Sequence, residues 1–459
     1  MAIATVNPAT GETLKTYDEL SDSEIERILA AAAQAHASYR LTSFEARAGW
    51  MRRAADILDG EVDQIAAMMT TEMGKTLAAS KQEVAKCASC CRFYAEKAAG
   101  FLADEPADAS AVGATQAWVR YESLGPVLAV MPWNFPLWQA MRFAIPALMA
   151  GNVGLLKHAS NVPQTALFMQ DLFTRAGFPE GTFQTLLISS RQVERVLRDP
   201  RVTAATLTGS GPAGQSVAAI AGDEIKKVVL ELGGSDPFIV MPSADLQQAA
   251  KIGAFARCLN NGQSCIAAKR FIVHTDVYDE FERLFVAEMA AKKVGDPMTD
   301  GTDIGPLATE QGRDEVEELV ADAAAKGARV LCGGVVPEGP GWYYPPTVVS
   351  GVTPDMRVHT EEVFGPAATI YRVADIDEAI ELANVTEFGL GSNAWTNDEA
   401  ERARFVRDLA AGMVFINGNV TSYPQLPFGG IRTSGHGREL SVDGIREFCN
   451  IKSVWVGKP

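Results

Sequence analysis

The chain has 459 residues, of which 47% are hydrophobic and 8% aromatic, so its composition is that of a globular enzyme of about three domain-sized units, or fewer large ones. Its net charge of −16 argues against nucleic acid or an anionic membrane surface as a partner.

The amino-terminal residues lack a basic stretch followed by an apolar core, so we expect no signal peptide, and a cytoplasmic protein with seven reduced cysteines. Cys87 and Cys90 are spaced like a metal or redox pair. A helical pattern surrounds them, however, and no second pair follows at zinc spacing, so no metal site is predicted. The uncharged segment 124–141 contains three prolines, which argues for a buried strand and loop rather than a membrane-spanning helix.

The first hundred residues read as a hairpin followed by helices. The hairpin turn lies at 7–11, and Ser21 and Glu24 have the spacing of a capping box at the start of a helix. Helical patterns continue to about Ala99. After a loose acidic stretch, residues 117–123 alternate like a strand.

Apolar strands and helices then alternate. Asn161 is the predicted N-cap of the helix that follows the second of these strands, and Gly177 lies near its end. This rhythm predicts a mainly parallel sheet covered by helices. The predicted strands are 126–131, 153–157, 202–209 and 226–234.

The same rhythm recurs between about 245 and 415, which predicts a second α/β unit joined to the first near 231–234. The last strand, 448–458, is expected to join another sheet, either in the same chain or in a partner subunit. The strands predicted in the second unit are 271–275, 328–334, 347–352 and 413–417, with a helix at 280–293.

A glycine-rich segment, 209–214, matches G-x-G-x-x-G after a strand, and Glu231 lies about twenty residues further on. This is the pattern of a dinucleotide-binding turn with an acid that binds the adenosine ribose. Two features weaken it. Pro212 stands early in the following helix, and several strands precede a motif that normally follows the first strand. This interpretation stays as the alternative for cofactor binding.

Cys265, in the segment NNGQSC, is a candidate nucleophile that needs a base. None of the five histidines lies in an obvious partner motif. Glu231, at a strand end beside two glycines, is either a solvated carboxylate or that base.

Seven motifs in order resemble those of the aldehyde dehydrogenase superfamily over essentially the whole chain. They are 131–136, 155–160, 207–210, 230–237, 260–265, 361–366 and 427–439. The resemblance implies an aldehyde dehydrogenase-like α/β fold with two α/β domains, mainly parallel sheets and a small β flap for oligomerisation. It implies a cofactor-binding domain at 1–104 and 124–232, a catalytic domain at 233–433 and a flap at 105–123 and 440–459, in a homodimer or homotetramer.

The same resemblance implies the catalytic roles. Cys265 would be the nucleophile, Glu231 the general base, and Asn134 a donor to the oxyanion together with the backbone N–H of Cys265. The thiolate would form a thiohemiacetal and then a thioester, which water activated by Glu231 would hydrolyse. The glutamate favours hydrolysis to a free acid over transfer to coenzyme A.

The resemblance also points to the cofactor. Many relatives that use NAD carry a glutamate where this chain has Ser160, three residues after Lys157. A carboxylate would repel a 2′-phosphate, whereas serine can donate to it and Lys157 adds positive charge, so we expect NADP over NAD. Alternatively, Ser160 is only a residue at a helix start. By the same family match, further cofactor-lining residues are Trp133, Gly209, Ser210, Leu232, Glu362 and Phe364.

Arg142 is the predicted substrate-binding residue. In the succinate-semialdehyde dehydrogenases of this superfamily, an arginine eight residues after the asparagine binds the distal carboxylate, and Ser422 is expected to assist. A structural carboxylate is the alternative partner for Arg142. Some relatives carry a second arginine just before the catalytic loop, whereas that region reads Cys258-Leu259-Asn260 here, so carboxylate binding is expected to rest mainly on Arg142. Glutarate semialdehyde, another ω-oxo acid, or broad aldehyde specificity with NAD stays open.

Two alternatives belong to other classes: a catalytically silent protein on the same fold, and a cysteine-independent alcohol or hydroxy-acid dehydrogenase built on the glycine motif. Ile266 and Ala267 follow the nucleophile where some relatives have a second cysteine, so no local disulfide is expected. Cys258 is predicted to be a buried helix cysteine.

Overall fold

The computed structural model describes residues 2–458, which contain fifteen α-helices and eighteen β-strands. The helices are α1 Asp22–Tyr39, α2 Phe44–Gly60, α3 Val62–Met73, α4 Leu77–Phe101, α5 Trp138–Ala150, α6 Pro163–Arg175, α7 Val193–Arg198, α8 Gly211–Asp223, α9 Leu246–Cys258, α10 Tyr278–Ala290, α11 Glu310–Ala325, α12 Arg357–Thr360, α13 Ile376–Asn384, α14 Glu399–Asp408 and α15 Ser441–Glu447. The strands are β1 Ile3–Val6, β2 Thr13–Tyr17, β3 Glu105–Pro106, β4 Gln116–Ser123, β5 Pro126–Met131, β6 Val153–His158, β7 Phe183–Thr185, β8 Ala204–Thr208, β9 Lys227–Glu231, β10 Asp236–Val240, β11 Ala268–His274, β12 Arg329–Cys332, β13 Thr347–Ser350, β14 Ala367–Val373, β15 Gly391–Trp395, β16 Met413–Ile416, β17 Gly435–His436 and β18 Cys449–Val456.

The first large sheet has the strand order β17-β9-β8-β5-β6-β7. All its neighbours are parallel except β17, which runs antiparallel to β9. Strands β5, β6 and β8 are almost wholly buried apolar runs, as expected for parallel strands covered on both faces. Their carboxyl ends, with that of β9, form one edge of the sheet, which is where ligands bind in open α/β sheets.

The second large sheet has the order β12-β13-β14-β11-β10-β15-β16, and only the β12–β13 pair is antiparallel. The predicted α/β architecture with mainly parallel sheets is confirmed. The amino-terminal ends of β11 and β14 are preceded by the loops that carry Cys265 and Phe364. The domain boundaries given above stay a prediction.

Two smaller antiparallel sheets complete the fold. β1 and β2 form the hairpin predicted around residues 7–11. The last strand, β18, pairs along its whole length with β4, and β3 lies on the other side of β4. The prediction that the terminal strand joins another sheet is therefore confirmed, with a partner strand from the same chain.

Of the two predicted helix starts, the one at α1 was right and the one at α6 was wrong. Ser21 and Glu24 form the capping box at the start of α1. Asn161 does not cap α6, because Pro163 occupies the first turn and makes Val162 the N-cap residue. The fixed φ angle of proline suits the first helical position and so shifts the start of the helix.

Helix α5 is buried on all sides, including Arg142 near its start. A charge inside such a helix needs a partner within the protein interior. Its start is held by Glu83 of α4, which accepts hydrogen bonds of 2.8 Å from the backbone N–H groups of Leu137 and Trp138 and forms an ion pair with Lys75. These contacts fix the loop between β5 and α5, which carries Trp133 and Asn134.

Candidate active site

An open cleft of about 830 Å³ lies at the carboxyl-terminal edge of the first sheet. It brings together residues from both large sheets, because the loops before β11 and β14 form its opposite wall. Nine of the thirteen predicted site residues line it: Trp133, Asn134, Gly209, Ser210, Glu231, Leu232, Cys265, Glu362 and Phe364.

The loop that carries Cys265 is tightly constrained. It follows α9 through Asn260 and Asn261, both at φ 59°, and Gly262 at φ 77°. A Cβ atom at Gly262 would come within 2.3 Å of the backbone carbon of Gly365, so the two loops approach as closely as they do only because residue 262 is glycine.

Lys269 holds the same loop through hydrogen bonds to its backbone. Its ammonium group, buried at the start of β11, donates to the carbonyl oxygens of Ser264 at 3.0 Å and Cys265 at 2.7 Å. It also lies 3.0 Å from Glu362, which in turn accepts from the backbone N–H of Gly234 at 3.2 Å. One lysine therefore sets the position of both the candidate nucleophile and a predicted cofactor residue.

Cys265 is half-buried, and its environment favours the thiol over the thiolate. Burial raises the pKa of Cys265 to about 12, although Arg142 and Lys269 oppose the shift. At neutral pH the group is therefore a thiol, and its activation needs a base close by.

Glu231, the last residue of β9, is a suitable base. Both of its carboxylate oxygens are buried and form no hydrogen bond with any described residue. Burial, followed by repulsion from Glu439, raises the pKa of Glu231 well above its ordinary value. A carboxylate with a raised pKa takes up a proton more readily at neutral pH, which is what a general base must do.

Asn134 is held between the two sides of the cleft. Its Nδ2 donates to the backbone oxygen of Gln263 at 3.2 Å, and its own backbone oxygen accepts from Asn260 at 2.6 Å. An amide nitrogen carries two hydrogens, so the bond to Gln263 leaves one for an oxyanion beside Cys265.

A second cavity, of about 400 Å³, adjoins the cleft, and Cys265 and Gln139 line both. Two predicted substrate residues, Arg142 and Ser422, line this cavity. The Arg142 guanidinium forms an ion pair with Glu439 and lies 4.2 Å from the centre of the Phe428 ring. Arg142 thus has the structural carboxylate partner considered as the alternative, although its Nη2 atom is buried without a hydrogen-bond acceptor among residues 2–458.

A further cation, Lys86 of α4, lines the same cavity. Its ammonium group donates to the Ser422 hydroxyl oxygen at 2.7 Å and lies 4.2 Å from the centre of the Trp138 ring. The Ser422 oxygen also accepts from the Trp138 indole N–H at 3.0 Å. Burial, and then the charge of Arg142, lower the pKa of Lys86 to about 8.

Lys157 and Ser160 do not line the cleft, but they lie at the same sheet edge. Lys157 on β6 lies opposite Val130 in the register of the β5–β6 pair, and Val130 stands three residues before Trp133 in the sequence. It is half-buried and forms no ion pair within the described part of the chain, and burial lowers its pKa. The first turn of α8, next to the cleft, has no side-chain cap. Pro212 has no N–H and the Gly214 N–H donates to the Ser210 oxygen, so the N–H groups of Gly211 and Ala213 are the ones left to bind phosphate oxygens. These residues fit a phosphorylated dinucleotide.

The alternative built on the glycine motif explains less. The backbone N–H of Gly209 donates to the backbone oxygen of Glu231, while the Glu231 side chain lines the cleft with Cys265. Cys258 ends α9 and is buried, as predicted, with its sulfur 3.6 Å from that of Met289. Burial raises its pKa to about 12.

Sequence patterns missed Lys86, Lys269 and Glu439. Glu83 and Lys86 lie three residues apart beside the apolar stripe of α4, which is a signal for charges at the edge of a buried face. Nothing local joins them to Ser422, 336 residues away from Lys86.

No helix within 2–458 is long and apolar enough to cross a membrane. Over the same residues, no group of three or more His, Cys, Asp or Glu side chains could hold a metal ion.

Comparisons with known proteins match almost the whole chain to one family. The profile of the Aldehyde dehydrogenase family matches residues 1–454. The chain is 66% identical over 458 residues to a protein of Mycobacterium avium named succinate-semialdehyde dehydrogenase [NADP(+)], which covers 100% of this chain and 97% of that protein. It is also 65% identical over 456 residues to succinate-semialdehyde dehydrogenase [NADP(+)] 1 of Mycobacterium tuberculosis. This alignment covers 99% of this chain and 100% of the Mycobacterium tuberculosis protein. The crystal structure of succinic semialdehyde dehydrogenase from Streptococcus pyogenes in complex with NADP+ matches with a TM-score of 0.97 at 38% identity, over 100% of both chains.

Proposed function

The chain belongs to the aldehyde dehydrogenase family, and we propose that it oxidises succinate semialdehyde to succinate with NADP as the cofactor. One observation carries the proposal: Cys265 lies where an open cleft meets a second cavity lined by cations. A cofactor in the cleft and a short acidic aldehyde in the cavity would therefore meet at the thiol. The names of the relatives that are 65–66% identical support the same substrate and cofactor.

The residues around the thiol support a two-stage reaction. Glu231 accepts the proton of Cys265, and the thiolate adds to the aldehyde carbon. The resulting oxyanion receives hydrogen bonds from Asn134 and from the backbone N–H of Cys265. NADP, when bound, supplies the hydride acceptor that allows the thiohemiacetal to become a thioester. After Glu231 has given the first proton to solvent, its carboxylate takes a proton from water, and the resulting hydroxide adds to the thioester carbon. The C–S bond then breaks, the Cys265 sulfur takes the proton back from Glu231, and the new carboxylic acid leaves as succinate after it loses its own proton to solvent.

The cavity beyond Cys265 suits a substrate with a distal carboxylate. Arg142 supplies positive charge and a buried N–H without a protein acceptor, and Ser422 lies on the same cavity wall. We propose that both bind the carboxylate of succinate semialdehyde. An unpaired buried donor is costly, and a carboxylate oxygen would satisfy it.

The cofactor side suits NADP. Lys157 and Ser160 would hold the 2′-phosphate, because one is an unpaired cation and the other offers a hydroxyl where a carboxylate would repel. Nearer Cys265, Glu362 would bind the second ribose, and Trp133 and Phe364, whose ring centres are 5.7 Å apart, would flank it. Gly209, Ser210 and Leu232 would contact the remainder from the edge of the first sheet.

We further propose a homodimer or homotetramer assembled through the sheet of β3, β4 and β18. Strand β18 lies at the edge of that sheet, and Ile451 and Trp455 on it are 62% and 57% exposed. An exposed strand edge with large apolar side chains favours pairing with another chain. A cytoplasmic location is proposed as well, because all seven cysteines are free thiols.

The proposal is tested by product analysis. Purified enzyme with succinate semialdehyde and NADP should form one succinate and one NADPH per aldehyde, measured by chromatography and by absorbance. Cys265→Ala should form neither while it still binds NADP. Turnover by Cys265→Ala, or a reduced product such as an alcohol, would contradict the proposed chemistry.

A further inference from the structure

Lys86 is a cation of the second cavity without a carboxylate partner. The other cation on its wall, Arg142, forms an ion pair with Glu439, whereas Lys86 forms no ion pair within residues 2–458. Glu83, one turn earlier on α4, forms an ion pair with Lys75 instead. Two cations and one carboxylate therefore leave positive charge in the cavity, and an anion would be attracted to it.

The hydrogen bonds of Ser422 show which kind of ligand its hydroxyl can meet. A hydroxyl oxygen has two lone pairs and one hydrogen. Lys86 and Trp138 donate to the Ser422 oxygen at 2.7 and 3.0 Å, so both lone pairs are used. Its hydrogen is left to donate, and no described residue accepts it, although Ser422 is only 4% exposed. The cavity wall therefore offers a hydroxyl donor beside an ammonium group.

We propose that Lys86 is a specificity-determining residue, which together with the Ser422 hydroxyl binds the distal carboxylate of the substrate. The inference rests on the proposed function and extends it to a residue on α4. An ammonium and an adjacent hydroxyl donor match the two oxygens of one carboxylate. Cys265 on the same cavity reacts with the aldehyde at the other end of the molecule.

The test compares two substrates of equal chain length. Butanal has a methyl group where succinate semialdehyde has its carboxylate. In Lys86→Met, the KM for succinate semialdehyde should rise about 10- to 100-fold, which is the usual effect of losing one hydrogen bond to a charged group. The kcat and the KM for butanal should stay within about twofold of the wild type, as expected of a group that acts on binding alone. Lys97→Met is the matched control, since Lys97 is on the same helix with 49% of its side chain exposed.

A binding measurement separates this inference from the proposed function. Calorimetric titration with succinate, without cofactor, should give a weaker Kd by a similar factor in Lys86→Met, and Lys86→Gln should resemble Lys86→Met if the charge is what matters. Equal losses for both aldehydes, or no loss for either, would overturn the role of Lys86. A wild type that binds succinate through Lys86 but does not oxidise the semialdehyde would refute the proposed function and keep the carboxylate site. A wild type that does neither would overturn both.

Discussion

Replacing Arg142 by methionine removes the charge of a side chain that is 2% exposed and leaves Glu439, which is 5% exposed, without its cation. Removing one partner of a buried ion pair costs about 3–5 kcal/mol of folding free energy. An unfolding entropy of about 2.1 cal/mol/K per residue amounts to about 1 kcal/mol/K for the 459 residues. We therefore expect Arg142→Met to lower the melting temperature by about 3–5 °C.

The size of this loss should depend on pH. Burial raises the pKa of Glu439 and Arg142 opposes the shift, so removal of Arg142 raises that pKa further. A carboxyl group whose pKa is higher in the folded state destabilises the fold above its unfolded pKa of about 4.3, and the cost grows as the pH rises towards the folded pKa. The deficit of Arg142→Met relative to the wild type, measured by scanning calorimetry, should be larger at pH 8 than at pH 5.

A double variant separates the structural role of Arg142 from substrate binding. In Arg142→Met/Glu439→Gln no buried charge is left alone, so most of the melting temperature should return. The KM for succinate semialdehyde should stay about 10- to 100-fold above the wild type in both variants, because the donor to the distal carboxylate is still missing. A wild-type melting temperature for Arg142→Met would refute the ion-pair reasoning. A KM restored in the double variant would show that Arg142 serves only to neutralise Glu439.

Two further substitutions test the base and the cofactor selector. Glu231→Gln should slow both the addition of Cys265 to the aldehyde and the hydrolysis of the thioester, so release of free acid should fall by about 10²- to 10⁴-fold, and formation of the acyl adduct on Cys265, followed by mass spectrometry after rapid quenching, should be slower than in the wild type. Because the raised pKa of Glu231 keeps it protonated at low pH, the wild-type kcat should rise with pH through a pKa above the ordinary value, and this limb should vanish in Glu231→Gln; an unchanged profile would contradict its role as base. Ser160→Glu should raise the KM for NADP at least about tenfold while NAD is spared, since two like charges about 4 Å apart repel by about 1 kcal/mol in water and more near a protein surface. An unchanged ratio of the two KM values in steady-state assays would remove Ser160 as the selector.

Many elements of the fold could be predicted from short segments of the sequence. The strand at 126–131 was predicted to the residue, because an apolar run lies between a Gly-Pro break and a Pro-Trp-Asn turn. The capping box of Ser21 and Glu24 is equally local. The start of α6 was misplaced because two local signals compete there, and the proline outweighed the asparagine.

The candidate site was predictable only where a motif carries it. Cys265, Glu231 and Asn134 each stand in a recognisable segment, and the structure brings them to one cleft. The charges around them were not predictable, because each depends on contacts between distant segments. Lys86 meets Ser422, and Arg142 meets Glu439, only when α4, α5 and the carboxyl-terminal loops pack together.

The proposed function is tested most directly by a pair of initial rates with succinate semialdehyde, one with NADP and one with NAD, at equal enzyme concentration. Formation of reduced cofactor is followed by absorbance. We expect fast turnover with NADP and weak turnover with NAD. Turnover with neither cofactor, in an enzyme that oxidises butanal, would contradict the proposed substrate, and a preference for NAD would contradict the proposed roles of Lys157 and Ser160.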